Sequence, residues 1–446
     1  MINALRQRLA DPDTLARLAA LAVGAPAAAP VSLRLELGCR GSDWLDLLPA
    51  GTSWWYRSRP DRREFRLAIG HALQVASTGP NRFAALDNAF AGFCQHWRRN
   101  GPALAFAGFA FDCANNAPLP NALLAIPAIL LESIDGQCTM TLSGPAGRLS
   151  QCAAEWSRWL AGAPARPAPV LRPARPEKLV ERAWVARVNA ALRAIENGQA
   201  AKLVLSRNRR IEANNAFSPG NILVRLNEQQ ASGLIYAYSN GQQTFLGATP
   251  ERLVRLNGHS IAVDALAGTA WPGSLALADD KNRHEQSLVA QAICTALAPL
   301  CLAAPIVGAI EEHAAGQLAH WRSRISGEVR PGISLFDLVR SLHPTPAVGG
   351  FPAAAAEQWL NTHGEQRTAW YSGGFGILSP DGNGEFSVAL RSALIDGHVA
   401  ELQAGAGIVA GSDPAQELAE TEAKLGTLLA ALNSPADSTS QHSLSA

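Results

Sequence analysis

The amino-acid sequence predicts an α+β fold built on large antiparallel sheets. Short runs rich in apolar and β-branched residues alternate with helical stretches, but they do not follow the strict strand–helix–strand order of a parallel sheet. Of the 446 residues, 48% are hydrophobic and 17% are charged, which is typical of a globular chain with ample material for a core. No segment recurs at a fixed period, so the pattern does not indicate a repeat protein.

The charge balance restricts the class of partner. The chain has 38 Lys and Arg against 37 Asp and Glu, so no overall charge draws it to nucleic acid or to a membrane surface. No apolar run approaches the ~20 residues that a membrane helix needs. We therefore expect a small-molecule partner, with no nucleic acid and no membrane.

The cysteines and the N-terminal segment predict a cytoplasmic protein. Seven cysteines are scattered without a CxxC pair, which argues against a zinc site and a disulfide framework and suits a reducing compartment. Residues 1–20 have the pattern of an amphipathic helix interrupted by Asp and Pro, and they lack the continuous apolar core of a signal peptide.

A proline-rich segment, residues 163–177, divides the chain into three predicted parts. Its five prolines cannot continue a helix and favour an extended connector. Region 1–177 contains a predicted helix over 82–99 and the strand-like runs VSLRLEL, SWWYRS, ALAFAGFAF, AILLESI and CTMTLSG. Region 178–433 opens with a predicted helix over 179–197, followed by a strand over 202–205. Residues 434–446 are polar and are predicted to be a disordered tail.

Two motifs resemble functional signatures but have the wrong context. Residues 405–410 fit the dinucleotide fingerprint GxGxxG/A, yet the next helix begins only near Asp413, and too little chain remains to complete a doubly wound sheet. We interpret them instead as a tight glycine turn that offers N–H groups to another anion. Residues 38–41 (GCRG) are similar to a glutaminase nucleophile turn, but too few residues precede them, so a buried cysteine at a strand end is favoured.

The C-terminal helix carries a charged stripe. Asp413 and Pro414 form a good helix start. Beyond them Glu417, Glu420 and Lys424 are spaced by three and four residues, so they share one face. One interpretation is a solvated face with an ion pair. The other is that the stripe faces inward and holds a divalent cation beside an anion.

A second acidic helix predicts the other half of such a site. Glu285 precedes Leu288 and Val289 by three and four residues, which places it at the border of an apolar helix face. A carboxylate at such a border is costly unless it is paired or binds a metal. Two carboxylates from separate helices suit Mg²⁺, a hard ion that prefers oxygen ligands.

Between residues 179 and 429 a set of short blocks occurs in a fixed order: KLVLSR, FLGATPERL, ALAGT, LHPTPAVGGFP, WYSGGFG, VALR and AGAGIV. As a set, these blocks resemble the chorismate-utilising enzymes, a family that includes isochorismate, salicylate, anthranilate and aminodeoxychorismate synthases. The N-terminal third matches loosely, mainly through SWWYRSR. The resemblance implies the chorismate-binding enzyme fold, in which two packed antiparallel sheets are flanked by helices. It also implies that the N-terminal region contributes strands to the same sandwich.

Three positions favour the isochorismate synthase branch. Lys202 stands where water-adding members have lysine and anthranilate synthases have glutamine. Ala267 replaces the nucleophilic lysine of aminodeoxychorismate synthases, and Ala347 replaces the threonine of members that expel pyruvate. The alternatives are a salicylate synthase, an ammonia-using synthase with a glutaminase partner, which Lys202 disfavours, and a non-catalytic chorismate-binding protein.

The resemblance also implies roles for individual residues. Glu285 and Glu420 would bind Mg²⁺ directly, and Glu417 would act through water. The remaining residues would contact the substrate, its carboxylates or its ring: Gly268, Thr269, His320, Ala347, Tyr371, Arg391, Gly405 and Lys424. The chain departs from the family at Asn282, where an acidic residue near the metal is usual, and at Trp271, where a basic residue is common.

The chemistry implied is an isomerisation of chorismate to isochorismate, in which water adds at C2 and the C4 hydroxyl leaves. This requires a base on one side of the ring and an acid on the other. Lys202 is the implied base and must be neutral, and Glu251 is the implied acid and must keep a proton near neutral pH. We expect a monomer without a glutaminase subunit. The sequence leaves open whether the product serves menaquinone, catechol siderophore or salicylate biosynthesis.

Overall fold

The computed structural model describes residues 2–40, 43–114, 118–160, 170–171, 178–271, 279–316 and 318–433. The strands of these residues are β1 Pro30–Arg40, β2 Trp54–Arg59, β3 Glu64–Ser77, β4 Arg98–Arg99, β5 Ala105–Phe109, β6 Ala122–Ile134, β7 Gln137–Pro145, β8 Lys202–Glu212, β9 Leu234–Ser239, β10 Gln243–Thr249, β11 Arg252–Asn257, β12 Ser260–Ala270, β13 Ile306–Ala315, β14 Leu318–Glu328, β15 Gly350–Phe351, β16 Gly374–Leu378, β17 Gly384–Val388, β18 Ser392–Asp396 and β19 Val399–Val409. The α-helices are α1 Ile2–Ala10, α2 Pro12–Ala22, α3 Arg82–His96, α4 Leu149–Trp159, α5 Lys178–Glu196, α6 Pro219–Gln229, α7 Asp280–Leu297, α8 Leu335–Leu342, α9 Ala353–Thr362 and α10 Pro414–Asn433.

The strands form two antiparallel sheets that share β3 and β6. The first sheet has the order β15-β8-β19-β18-β10-β9-β2-β3-β6-β7-β1-β4, and its single parallel pair is β1–β4. The second continues from β6 as β5-β16-β17-β11-β12-β14-β13. Residues 129–134 of β6 pair with β7, whereas residues 122–125 pair with β5. The change of partner along β6 accompanies a bulge in β3 between His71 and Leu73, a feature that bends a strand.

An aromatic layer fills the space between the two sheets. Trp55 of β2 stacks on Trp370 with 5.5 Å between ring centroids, and Tyr238 of β9 stacks on the same indole at 4.8 Å. All three rings are almost fully buried. Such large rings contribute strongly to a core because each removes much apolar area from water. The predicted α+β fold with packed antiparallel sheets is confirmed.

Helices cover the outer faces. Helices α1, α2, α4, α6 and α10 pack against the first sheet in one apolar cluster, and α3, α7 and α8 pack against the second in another. Helices α5 and α9 cover β8 and β19. No helix of the described residues is both long enough and apolar enough to span a membrane.

Strands from both sides of the proline-rich segment pair with each other. β2 pairs with β9, and β5 pairs with β16. The proposed boundary between residues 177 and 178 falls at the edge of a segment that lies outside the described residues. The whole predicted tail, 434–446, also lies outside them. The division at residue 177 stays a prediction.

Two local predictions were wrong. The helix expected over 82–99 ends at His96, because Arg98 and Arg99 pair with β1 at the sheet edge. The glycine turn expected at 405–410 is absent, since residues 405–409 continue β19 and pair without interruption with β8. Long strand pairing satisfies the backbone groups that a turn would have left for an anion. The other rejected motif is residues 38–41, and the side chain of its Cys39 is not among the described side chains.

Candidate active site

A cavity of about 70 Å³ opens at the ends of β8, β10, β12 and β19. Of the thirteen site residues predicted from sequence, all except Glu417 line it: Lys202, Glu251, Gly268, Thr269, Glu285, His320, Ala347, Tyr371, Arg391, Gly405, Glu420 and Lys424. The tertiary structure therefore brings residues more than 200 positions apart in sequence into one site.

Strand alternation presents one wall of the cavity. In β8, Lys202 and Val204 face the cavity, whereas Leu203 and Leu205 face helices α5 and α9. Lys202 is only 1% exposed, and its Nζ lies 2.7 Å from Oε1 of Glu285 on α7. The pair needs the glycine opposite, since a Cβ at Gly407 would lie 2.5 Å from Glu285 Oε1 and 2.8 Å from Lys202 Cε.

Glu251 also lines this cavity. It lies between the end of β10 and the start of β11, and its side chain is buried. Strands β19 and β18 separate β8 from β10, so at ~4.8 Å per strand the backbones of β8 and β10 are about 14 Å apart. The side chains of Lys202 and Glu251 nevertheless line the same cavity, and Lys202 is near enough to act on the pKa of Glu251.

The environment of Glu251 favours its protonated form. Burial and the negative charge of Asp264 raise its pKa to about 8, against the opposing effect of Lys202 and Lys424. A carboxylic acid in this state can donate a proton near neutral pH, as general acid catalysis requires.

Each of the three predicted metal-site carboxylates is paired with a different lysine. Besides Lys202–Glu285, Lys281 Nζ lies 2.7 Å from Glu417 Oε1, and Lys424 binds Glu420. Lys424 also donates a 2.8 Å hydrogen bond to the Gly405 carbonyl.

The pKa values of Glu285 and Glu417 are shifted in opposite directions. Burial would raise the pKa of Glu285, but Lys202, Lys281 and Lys424 outweigh it and lower that pKa below its usual value. For Glu417, burial and the nearby Glu420 raise the pKa to about 7 despite Lys281. Glu417 is thus close to Glu420, but it is buried and does not line the cavity.

The carboxylate oxygens of Glu285 and Glu420 are the type of ligand that a hard cation binds, but with the other described residues they do not form a converged set of three ligands. Glu285 and Glu420 offer oxygen ligands only, which Mg²⁺ prefers, and Glu420 and Glu417 repel each other. Within the described ranges, no three His, Cys, Asp or Glu side chains converge as a ready ligand set. Lys202 and Lys424 each pair with one of these two carboxylates.

A chain of hydrogen bonds orients Arg391 at the cavity. Its Nη2 lies 3.2 Å from His320 Nε2, and His320 Nδ1 lies 3.1 Å from Thr269 Oγ1. Because a guanidinium can only donate, His320 Nε2 must accept, which places the proton on Nδ1. Burial, Arg391 and Lys424 hold the pKa of His320 well below its usual range, so this imidazole is neutral.

The structure explains one departure from the family. The Asn282 side-chain oxygen accepts a 3.2 Å hydrogen bond from the backbone N–H of Thr269. Its backbone also packs against Gly268, whose φ of +69° and lack of space for a Cβ require glycine. Asn282 therefore shapes the loop that carries Gly268 and Thr269. Trp271, the other departure, is 53% exposed and does not line the cavity.

The sequence reasoning missed Gln403, Gly407 and Lys281. Gln403 and Gly407 lie two residues before and after Gly405 on β19, so all three face the cavity. The two-residue period of a strand could therefore have predicted both from Gly405. Lys281 carried a different signal. The chain contains only four lysines, and three of them, Lys202, Lys281 and Lys424, pair with the site carboxylates.

The sandwich and its cavity define a class of protein, an enzyme whose buried site presents cations and an acid to a small anionic molecule. The family model described as "Chorismate binding enzyme" matches residues 35–433, and the chain belongs to this family.

Several relatives are similar over much of the chain. "Salicylate biosynthesis isochorismate synthase" of Pseudomonas aeruginosa is 36% identical over 56% of this chain and 55% of its own length. "Isochorismate synthase MenF" of Bacillus subtilis is 30% identical over 74% of this chain and 75% of its own length. The solved structure of MenF, the menaquinone-specific isochorismate synthase from Escherichia coli, has a TM-score of 0.79 and 25% identity, covering 94% of this chain and 98% of the other. The matches to the first relative and to a putative isochorismate synthase of Aeromonas hydrophila span 55% and 65% of those proteins.

Proposed function

We propose that the chain is an isochorismate synthase, which isomerises chorismate to isochorismate with Mg²⁺. One observation carries the proposal: Lys202 and the buried carboxyl of Glu251, whose pKa is raised to about 8, line the same cavity. Adding water at one carbon and expelling hydroxyl from another requires this division between a base and an acid. The relatives named isochorismate synthase support the same activity.

In the proposed reaction, Lys202 takes a proton from the water that attacks C2, and Glu251 donates a proton to the C4 hydroxyl as it leaves. One water is added and one is lost, so substrate and product are isomers. Val204 and Val348 add apolar side chains to the lining of the cavity. The division of roles rests on the protonation state of Glu251, which burial maintains.

The carboxylates of chorismate need cationic partners inside the cavity. Arg391 can bind one of them with two parallel hydrogen bonds, and its orientation is maintained by neutral His320. Lys424 and Tyr371 extend the same wall. Mg²⁺, when bound at Glu285 and Glu420 with Glu417 acting through water, would supply a Lewis acid for the ring carboxylate.

A salicylate synthase, which would go on to eliminate pyruvate, is the second candidate. The P. aeruginosa relative carries the word salicylate in its name, but as a biosynthetic context for an isochorismate synthase. Ala347 lines the cavity and offers only a methyl group where pyruvate-expelling members carry a hydroxyl. This difference favours release of isochorismate.

The test is incubation with chorismate and Mg²⁺, with and without a chelator, followed by chromatography and mass analysis. The proposal expects a product of the same mass as chorismate with a different retention, and its loss when the metal is chelated. Salicylate and pyruvate would identify the second candidate. No conversion, with chorismate binding retained, would identify a non-catalytic binding protein. Conversion unaffected by chelator would remove Mg²⁺ from the proposal but leave the reaction.

A further inference from the structure

A second cavity, of about 240 Å³, lies between the strands β2, β3, β11 and β17, and it shares no lining residue with the first. Five arginines line it: Arg57, Arg59, Arg62, Arg66 and Arg255. Strand register brings them together, since Arg57 and Arg66 are direct partners across β2 and β3. Like charges placed directly opposite each other destabilise a sheet unless a counter-charge lies between them.

The acidic residues of this cavity do not balance the arginines. Among the described residues, Glu64 and Glu385 line it, and Glu132 pairs with Arg66 at 3.0 Å from outside the lining, so five positive charges against three negative charges leave +2. Glu385 is shared, because Arg57 Nη2 lies 2.7 Å from its Oε1 and Arg59 binds the same oxygen. Arg252 adds a third guanidinium at 3.2 Å from the other oxygen.

Several donors in the cavity have no partner. Nε of Arg59 is buried and has no hydrogen bond within the part of the chain that the structure describes. Arg62 and Arg255 are exposed at the mouth, and neither forms an ion pair with any described residue. Burial together with the repulsion of Arg59 and Arg66 lowers the pKa of Arg57 to about 10, against the attraction of Glu385. Guanidinium groups without a counter-charge in the protein can form charge-assisted hydrogen bonds with an incoming anion.

We propose that this second cavity is a binding site for a small phosphate monoester. Planar guanidinium groups match phosphate oxygens with paired hydrogen bonds. A phosphate carries about −1.5 to −2 charges at pH 7, which balances a surplus of +2 better than a single carboxylate does. Leu104, Leu256 and Ile377 give the cavity an apolar wall as well, so the ester carries an organic group of modest size. The site is independent of the proposed isochorismate synthase activity.

The test is calorimetric titration of the full chain with inorganic phosphate and with phenyl phosphate at constant ionic strength. Both should bind one per chain, and phenyl phosphate should bind several-fold more tightly because its ring contacts the apolar wall. Equal affinity for the two probes would contradict the assigned orientation. No saturable heat with either probe would overturn the site.

Substitutions locate the binding. The double variant Arg62→Gln/Arg255→Gln removes two exposed guanidiniums that hold no described residue, so it should fold normally and bind phenyl phosphate at least about tenfold more weakly. The matched control Arg182→Gln, an exposed arginine on α5, should bind as the unchanged chain does. Arg391→Gln should also retain binding. Loss of binding in Arg391→Gln with retention in the double variant would place the anion in the first cavity and reject the proposal.

Discussion

The two cavities hold their carboxylates in opposite ways. In the first, each of Glu285, Glu417 and Glu420 is held by one lysine of its own. In the second cavity, one carboxylate, that of Glu385, is held by three arginines. Their positive charges lower the pKa of Glu385 to about 2 against the effect of burial.

The first cavity pairs its carboxylates with lysine and the second with arginine, and these two side chains differ in whether they can release a proton or a bound carboxylate. A lysine ammonium is a point charge on a flexible stem, so one carboxylate can leave it for another cation, and a lysine can give up a proton. An arginine keeps its charge and binds through a rigid planar fork. The chain has 38 basic residues, of which only four are lysines, yet three of these lie at the first site. The first region suits exchange of cations and protons, whereas the second suits a permanent positive field.

The largest expected effect is at Lys202. Lys202→Ala should abolish turnover, by a factor on the order of 10³, because the proposed base is removed, while magnesium-dependent chorismate binding stays largely intact. Lys202→Arg sharpens the comparison, since it keeps a positive charge beside Glu285 but cannot act as a base. Steady-state kinetics and chorismate titration measure both, with thermal melts to verify folding. Full activity in either variant would reject Lys202 as the base.

The next effect concerns Glu385. Glu385→Gln should lower the free energy of unfolding by about 3 kcal/mol, because it leaves buried guanidinium groups without their shared counter-charge. The control Glu401→Gln breaks only an exposed pair with Arg210 and should cost under about 1 kcal/mol. Urea unfolding compares the two. Equal stability losses would show that the arginine cluster does not depend on Glu385.

A smaller effect is expected at the lysine-held carboxylates. Glu420→Gln should raise the Mg²⁺ concentration needed for half-maximal activity by about tenfold or more, since it removes a proposed direct ligand. Glu422→Gln lies on the same helix but holds Arg207 and Arg209 outside the cavity, so it should leave this concentration unchanged. Activity measured across a magnesium series decides. An unchanged requirement in Glu420→Gln would remove that residue from the metal site.

The smallest expected effect is on pH dependence. If Glu251 donates a proton, kcat/KM should fall as the pH rises through its pKa of about 8. Asp264 contributes to that raised pKa, so Asp264→Asn should lower it and move the alkaline limb to lower pH by under about one unit. Asp61→Asn, an exposed change nearby, serves as the control. A limb that stays in place or moves upward would contradict the role of Asp264.

Local chemistry explains what could be predicted along the chain. Asp413 accepts hydrogen bonds from the N–H groups of Ala415 and Gln416, so the predicted start of α10 is confirmed by its cap. Helix α5 also lies within one residue of its predicted bounds. Such features depend on neighbours in sequence, and the family motifs add the identity of twelve residues around the cavity.

The sequence by itself thus established the α+β class, the two acidic helices and the chemical types present at the site. Only the tertiary structure decided how those groups are paired and charged. Lys281 meets Glu417 across 136 positions, and Arg57 meets Glu385 across 328. The raised pKa of Glu251 and the uninterrupted strand through Gly405 likewise come from burial and from pairing with distant strands. These properties depend on distances between side chains that are remote in sequence, and electrostatic and burial energies follow those distances rather than the order of residues.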